Sequence, residues 1–172
     1  MKDIAIIGAG PGGLVTALRL HQQGMTPTIY ETVPELQPLG VGVDIKVYGT
    51  KELQELGLLE EFRAMSVDAV DSIFYNHYGQ EIYAEKCGVH MGYLHEQRFV
   101  HRGYLQLMFY RAVIDRMGPE RVHLGARVTR YEQDAEGVTL HLEHRDGRSE
   151  TVRHDAVIAA DGIKSVVRAQ MH

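Results

Sequence analysis

The sequence predicts an α/β fold: a parallel sheet flanked by helices, with an antiparallel β-meander late in the chain. Three observations predict it. Ile4-Ala5-Ile6-Ile7 is apolar without alternation, as expected of a strand covered on both faces. A glycine-rich stretch, Gly8-Ala9-Gly10-Pro11-Gly12-Gly13, follows at once and opens a helical repeat. Far along the chain the period becomes two, with Val138, Leu140 and Leu142 alternating with Thr139, His141 and Glu143.

In chain order, Leu14, Ala17 and Leu18 share one face of a first helix, and Gly24 terminates it. Thr26 to Glu31 is β-branched and ends in an acid, so the opening reads as one β-α-β unit with a right-handed crossover. Glu35 to Val43, with Pro38, Gly40 and Gly42, reads as an irregular connection. A helix is expected to begin near Thr50, turn Leu53 and Leu56 inward and break at Gly57. A short one from Leu58 to Met65 would bury Leu59 and Phe62. Asp71 to Glu85 reads as a hairpin about Tyr78-Gly79-Gln80. After His101-Arg102, the residues Leu105, Met108, Phe109, Ala112 and Val113 follow a helical period that Gly118-Pro119 ends. Strands near 127–132, 138–144 and 148–154 make the meander, its Asp146-Gly147 a hairpin signal. Ala156 to Ala160 reads as a second buried strand, followed by a short helix at Ser165–Ala169.

Composition narrows the function classes. At 172 residues the chain suits one ordinary domain. Its 18 Lys and Arg against 23 Asp and Glu leave a net charge of −5, which argues against a nucleic-acid partner. Cys87 is the single cysteine, so no internal disulfide forms and a reducing, cytoplasmic setting is expected. The apolar run at 4–7 is far too short for a signal peptide or a membrane span.

The glycines carry the first chemical signal. Gly8-x-Gly10-x-x-Gly13 lies between a strand and a helix, the context a dinucleotide fingerprint requires. Gly8 permits the tight turn, Gly10 lets backbone approach a pyrophosphate, and Gly13 lets helix and strand pack closely. Pro11 suits the first helical turn, where its missing N–H is not needed. The plain alternative is a tight glycine turn that binds nothing. Glu31, 18 positions after Gly13, sits where an acid would grip the ribose hydroxyls of an adenosine and repel a 2′-phosphate. The alternative there is a solvated strand-end glutamate. These residues point to FAD or NAD rather than NADP.

Beyond the fingerprint, Leu39-Gly40-Val41-Gly42-Val43, His101-Arg102-x-x-Leu105 and Ala160-Asp161-Gly162-Ile163-Lys164-Ser165-x-x-Arg168 together resemble the single-component flavoprotein aromatic hydroxylases. These share the para-hydroxybenzoate hydroxylase fold, and the order of motifs is most similar to the phenazine and salicylate hydroxylase branch. The resemblance implies a three-layer, Rossmann-like FAD-binding domain over residues 1–172. It implies FAD held at Gly8, Gly10, Pro11, Gly12 and Gly13 by its pyrophosphate and at Glu31 by its ribose. Gly40, Val41, Gly42 and Val43 would run beside the ribityl chain and the isoalloxazine ring. Arg102 would face the flavin, and Val128 would pair its backbone with the adenine edge. The Asp161 loop, with Gly162, would lie near both the FAD diphosphate and NAD(P)H; a bare carboxylate repels phosphate, so Asp161 would act through ribose, water or neighbouring amides. The plain alternative for Asp161 is an N-cap of the helix at Ser165–Ala169, a role that could hold together with the first, and for Arg102 an exposed arginine at a helix start. Ala159 departs from the glycine common at that position, and its methyl would face the pyrophosphate side.

The activity so implied is an NAD(P)H-dependent monooxygenation. NADH or NADPH reduces the flavin, O₂ adds to give a flavin hydroperoxide, and one oxygen passes to a small aromatic substrate. The resemblance identifies no catalytic side chain in this segment. Family members are longer, with a second flavin motif and a substrate-covering sheet after the Asp-Gly motif, so the sequence is read as an N-terminal, FAD-binding portion. A halogenase, epoxidase or reductase on the same domain, or a non-catalytic nucleotide-binding module, are the rival readings. Oligomeric state is not legible. No metal site is expected: His141 and His144 fall on opposite strand faces, and His90 and His95 lack partners. Cys87 beside Lys86 reads as an inert thiol, and Tyr75, Tyr78, Tyr83 and Tyr93 as hairpin packing.

Overall fold

The computed structural model describes residues 2–172. In chain order the elements are β1 (Ile4–Ile7), α1 (Pro11–Gln22), β2 (Thr28–Glu31), β3 (Gly42–Ile45), α2 (Val47–Glu55), α3 (Leu59–Ala64), β4 (Ser66–Asp68), β5 (Asp71–Tyr75) and β6 (Glu81–Lys86). Then follow β7 (Arg98–His101), α4 (Arg102–Met117), β8 (Val122–Leu124), β9 (Ala126–Asp134), β10 (Gly137–His144), β11 (Ser149–His154), β12 (Ala156–Ala159) and α5 (Val166–Met171). Two compact units result. One holds the chain up to Gln37 together with Phe109–His172, and the other is Pro38–Met108.

In the first unit, β12, β1, β2 and β8 form a parallel sheet in that order. All four residues of β1 are buried, as an apolar strand between two neighbours should be. Period-two alternation sends Ala5, Ile7 and Tyr30 to one face, where they meet Ala126, Val128, Leu140 and Leu142 of the meander. Ile6 and Ile29 point the other way, and α1, which packs on β1, buries Leu14, Ala17 and Leu18. Helix, parallel sheet and meander are thus three layers. The meander runs β11-β10-β9 with Leu140 opposite Val152 and Tyr131. β12 is only half-buried, contrary to the expectation from its apolar run, because it is the edge strand of the sheet.

A polar thread ties these layers. The Tyr30 hydroxyl lies 3.0 Å from His154 Nε2, and His154 Nδ1 lies 3.0 Å from Asp3 Oδ2. A His154 that donates Nδ1–H to Asp3 leaves Nε2 to accept from Tyr30, so every group is satisfied. His123 stacks on the Tyr30 ring at 5.2 Å. Burial, aided by the charges of Glu150 and Asp3, pushes the Tyr30 phenol up to about 12.

In the second unit β3, β7 and β4 form an antiparallel sheet with β7 central, while β5 and β6 form a separate ribbon. Gly42 and Val43 therefore lie in a strand, not in an irregular connection. Pairing with β7 decides this, which local glycine content does not reveal. α2 begins at Val47, ahead of Thr50, and α3 buries Phe62 and its flanking Leu58, leaving Leu59 half-buried. Tyr75, Tyr78, Tyr83 and Tyr93 are each more than half exposed, so they do not pack the hairpin as the sequence suggested. The ribbon has only two strands, and its Phe74 and Tyr83 rings meet 6.2 Å apart. α4, whose residues from Phe109 on belong to the first unit, follows its expected period, burying Leu105, Met108, Phe109, Ala112 and Val113, and Gly118 closes it at φ 92°.

Replacing Tyr30 by phenylalanine should cost about 1–3 kcal/mol, because the buried His154 Nε2 loses its partner. Urea unfolding checks it, and an unchanged midpoint would show that the thread carries no stability.

Candidate functional site

The glycine turn forms where β1 runs out. Gly8 N still donates to Tyr30 O at 2.8 Å, and Ala160 N donates to Ile7 O at 2.8 Å, so the sheet's hydrogen bonding continues to the edge of the turn. Gly8 has φ +103°, and a Cβ on it would stand 2.5 Å from Ala160 O and 3.3 Å from Asp161 Cα. A Cβ on Gly13 would stand 2.0 Å from Gly8 O. Both glycines are thus required by close approach. Gly10 and Gly12 are different: a Cβ on either meets nothing within 4 Å. Their bareness serves no internal packing and leaves backbone open to a ligand.

Gly10 is the N-cap of α1, Pro11 follows it, and no side chain caps the helix. The first turn carries no acidic residue. The earliest intrahelical bond runs from Leu14 N to Gly10 O at 3.0 Å, so the amides of Gly12 and Gly13 precede it. Such amides, with the positive end of the helix dipole, suit an anion.

Glu31 is aimed at this turn. Its Oε2 accepts from Ala9 N at 2.7 Å and its Oε1 from Val33 N at 2.9 Å. Each carboxylate oxygen has a second lone pair, so both can still accept from a ligand hydroxyl. Asp161 reaches the same place from the other side, its backbone against Gly8. Its Oδ2 accepts from Val167 N at 3.3 Å, but Ser165 is the N-cap of α5, with Oγ accepting from Arg168 N at 2.9 Å. Capping by Asp161 is thereby corrected to an auxiliary contact, since Ser165 stands at the helix boundary. Gly162 is exposed at φ 76°. The Ala159 side chain is exposed, and it is the Ala160 methyl that lies near the turn, 3.3 Å from where a Gly13 Cβ would be.

Gly8, Gly10, Pro11, Gly12, Gly13, Glu31, Asp161 and Gly162 therefore converge at the C-terminal edge of the parallel sheet, where α/β folds take nucleotides. Val128 lies on β9 with its side chain buried in the core between sheet and meander, so only its backbone is placed to make the contact expected of it.

In the second unit, Gly40, Val41, Gly42, Val43 and Arg102 also come together. Arg102 N donates to Val41 O at 3.0 Å, and a Cβ on Gly40 would lie 3.5 Å from Arg102 Cβ. Arg102 is exposed at the first position of α4. Sequence reasoning assigned no role to Gly103, yet a Cβ there would stand 2.4 Å from Pro38 C, so it lets the loop lie on the helix start. Its place beside Arg102 at a helix N-terminus was the only available signal. Among the described residues no cluster of His, Cys, Asp and Glu could hold a metal ion, and no helix is long and apolar enough to cross a membrane.

The profile of the FAD binding domain family matches residues 1–172. The chain belongs to that family. It is 36% identical over 173 residues to a phenazine 1,6-dicarboxylic acid hydroxylase of Lysobacter antibioticus, covering 99% of this chain and 42% of the relative. It is 35% identical over 176 residues to an FAD-dependent urate hydroxylase of Klebsiella pneumoniae, covering 98% and 42%. The chain thus spans about two fifths of the length of these relatives. Among solved structures, a Klebsiella pneumoniae HpxO variant complexed with FAD is 29% identical at a TM-score of 0.76, over 99% of this chain and 42% of that one. The p-nitrophenol 4-monooxygenase PnpA of Pseudomonas putida, 21% identical over 99% of this chain and 43% of that one, shares the fold at a TM-score of 0.89.

Gly13→Ala should lower stability by about 1–3 kcal/mol through overpacking, whereas Gly10→Val should cost no more than about 1 kcal/mol, as a poorer N-cap. Thermal unfolding of the two variants reads the difference; equal losses would show that Gly10 is also a packing glycine.

Proposed function

We propose that this chain is the FAD-binding part of an NAD(P)H-dependent flavoprotein monooxygenase that hydroxylates a small aromatic substrate. The observation that carries the reading is the ring of groups around the glycine turn: open backbone at Gly10 and Gly12, uncapped amides at the α1 N-terminus, and the Glu31 carboxylate facing them. These residues fit FAD. The amides of Gly12 and Gly13 would take its pyrophosphate, and Glu31 would accept from its ribose hydroxyls. Gly40 to Val43 would lie beside the ring system, with Arg102 as a fixed positive charge near it.

Bound FAD supplies the redox chemistry, accepting a hydride equivalent from NADH or NADPH and activating O₂. The protein's own residues bind, orient and shield. Glu31 holds its position through the amides of Ala9 and Val33, so it meets the sugar without reorganising. Asp161, a carboxylate beside a phosphate site, is held toward the Val167 amide, which directs its charge into α5. The relatives named as hydroxylases of phenazine dicarboxylic acid and of urate support an aromatic, heterocyclic class of substrate and O₂ as co-substrate.

Titration of the chain with FAD, followed by flavin fluorescence, tests the reading. Glu31→Ala should weaken binding by about 1–3 kcal/mol, through loss of the ribose acceptor, and Glu31→Gln should fall between it and wild type. Gly10→Val should abolish uptake while the fold survives. A wild-type chain that takes up no FAD, or a Gly10→Val variant that still does, refutes the assignment.

A further inference from the structure

Helix α5 is short and poorly buried, yet it is tied down at both ends. It has six residues, none of them buried, and a helix of that length has little stability of its own. Val167 gives it a half-buried contact with the core between sheet and meander. At its far end Gln170 reaches β9, the edge strand of the meander. Gln170 Oε1 accepts from Tyr131 N at 3.1 Å, and Gln170 Nε2 donates to Tyr131 O at 2.6 Å. One side-chain amide thereby stands in for a neighbouring strand, satisfying both backbone groups of Tyr131.

The near end of α5 carries the Asp161 loop. Ser165 N donates to Gly162 O at 3.2 Å, Val167 N donates to Asp161 Oδ2 at 3.3 Å, and the Arg168 side chain donates to Ile163 O. The other end of the loop is fixed to the sheet, where Ala160 N donates to Ile7 O at 2.8 Å. Residues 161–165 thus span two anchors, one on β1 and one on α5. The second is only as firm as the hold of α5 on β9. What it holds matters electrostatically, because the Asp161 backbone lies against Gly8, beside the amides proposed for the pyrophosphate. The Val167 amide draws the Asp161 carboxylate to α5. Were α5 to lift, that carboxylate could swing to the glycine turn, where it would repel a phosphate.

We propose that Gln170 is a positioning residue for the FAD pyrophosphate. By clamping α5 to the backbone of Tyr131 it keeps the Asp161 carboxylate on the Val167 amide and out of the anion site. Gln170 itself touches no ligand: the coupling runs from the β9 edge through α5 to the loop. This rests on the reading of the glycine turn as the FAD site.

FAD is titrated into wild type, Gln170→Ala, Asp161→Asn and the double variant, and amide hydrogen exchange of each chain without FAD is the second readout. Gln170→Ala should weaken FAD about tenfold, a penalty that falls to about threefold at about 0.5 M salt, where the repulsion is screened. In the Asp161→Asn background the same substitution should cost about twofold or less, because the charge it releases is gone. Gln170→Ala should also speed exchange at the Ser165 and Val167 amides about tenfold, while the β10 amides keep wild-type rates. Unchanged FAD affinity in Gln170→Ala would overturn the proposal, and so would an equal loss in both backgrounds, the mark of a purely structural contact. Faster exchange throughout β10 would show general loosening and overturn it too. An Asp161→Asn variant that takes up no FAD does the same, since Asp161 would then be a contact and not a charge kept aside. Should wild type take up no FAD, the flavoenzyme reading falls and exchange alone decides the clamp: faster rates at 165 and 167 leave it standing, unchanged rates remove it.

Discussion

At the crossing of β1, α1 and β12, three backbones come closer than side chains allow. Gly8 lies so near Ala160 that a methyl would intrude on its carbonyl, and Gly13 so near Gly8 that the same is true. From this contact the rest of the first unit's site follows. It brings the Asp161 backbone to the turn, fixes where α1 begins and sets its amides at the sheet's C-terminal edge. The cost of Gly8's positive φ is met by hydrogen bonds on both flanks, from Gly8 N to Tyr30 O and from Ala160 N to Ile7 O.

The carboxylate of Glu31 has two tasks in one geometry. It closes the turn onto β2 by accepting from Ala9 N, and it steadies the strand end by accepting from Val33 N. A residue already oriented by backbone donors loses little entropy when it meets a ligand. The absence of any acidic residue in the first turn of α1 keeps the helix end positive, while Glu31 stands at the end of β2 and the Asp161 carboxylate is drawn toward the Val167 amide. Charge is separated by strand order.

The second unit has another character. Its sheet buries one face around Val100 and leaves the other to Phe99 and Val67, while the β5–β6 ribbon exposes Ile73, Phe74, Tyr75, Ile82 and Tyr83. A two-stranded ribbon cannot bury two faces by itself. The interior of this unit is apolar, with Leu53, Leu56, Phe62 and Val100 buried, and beside it Glu96 is shared between Arg63 at 2.6 Å and Arg98 at 2.7 Å, while Arg98 also reaches Ser66.

Much was determined by the sequence alone. The unalternated run 4–7, the glycine spacing and the acid at 31 specified the β-α-β opening, because strand, turn and helix each have a local periodicity or a local steric demand. The period of α4 and the alternation of the meander were legible for the same reason. Tertiary structure decided the rest. β3, β4, β7 and β8 are three or four residues long, too short to show a period, and exist because a neighbour pairs with them. The distinction between Gly8 and Gly13, which must be bare to pack, and Gly10 and Gly12, which are bare toward open space, depends on atoms more than 100 residues away or across a turn. The hold of Gln170 on the backbone of Tyr131, 39 positions earlier, is equally invisible in the spacing. Spacing along a chain records which residues can be neighbours on one element; it carries no record of what a folded sheet brings opposite them.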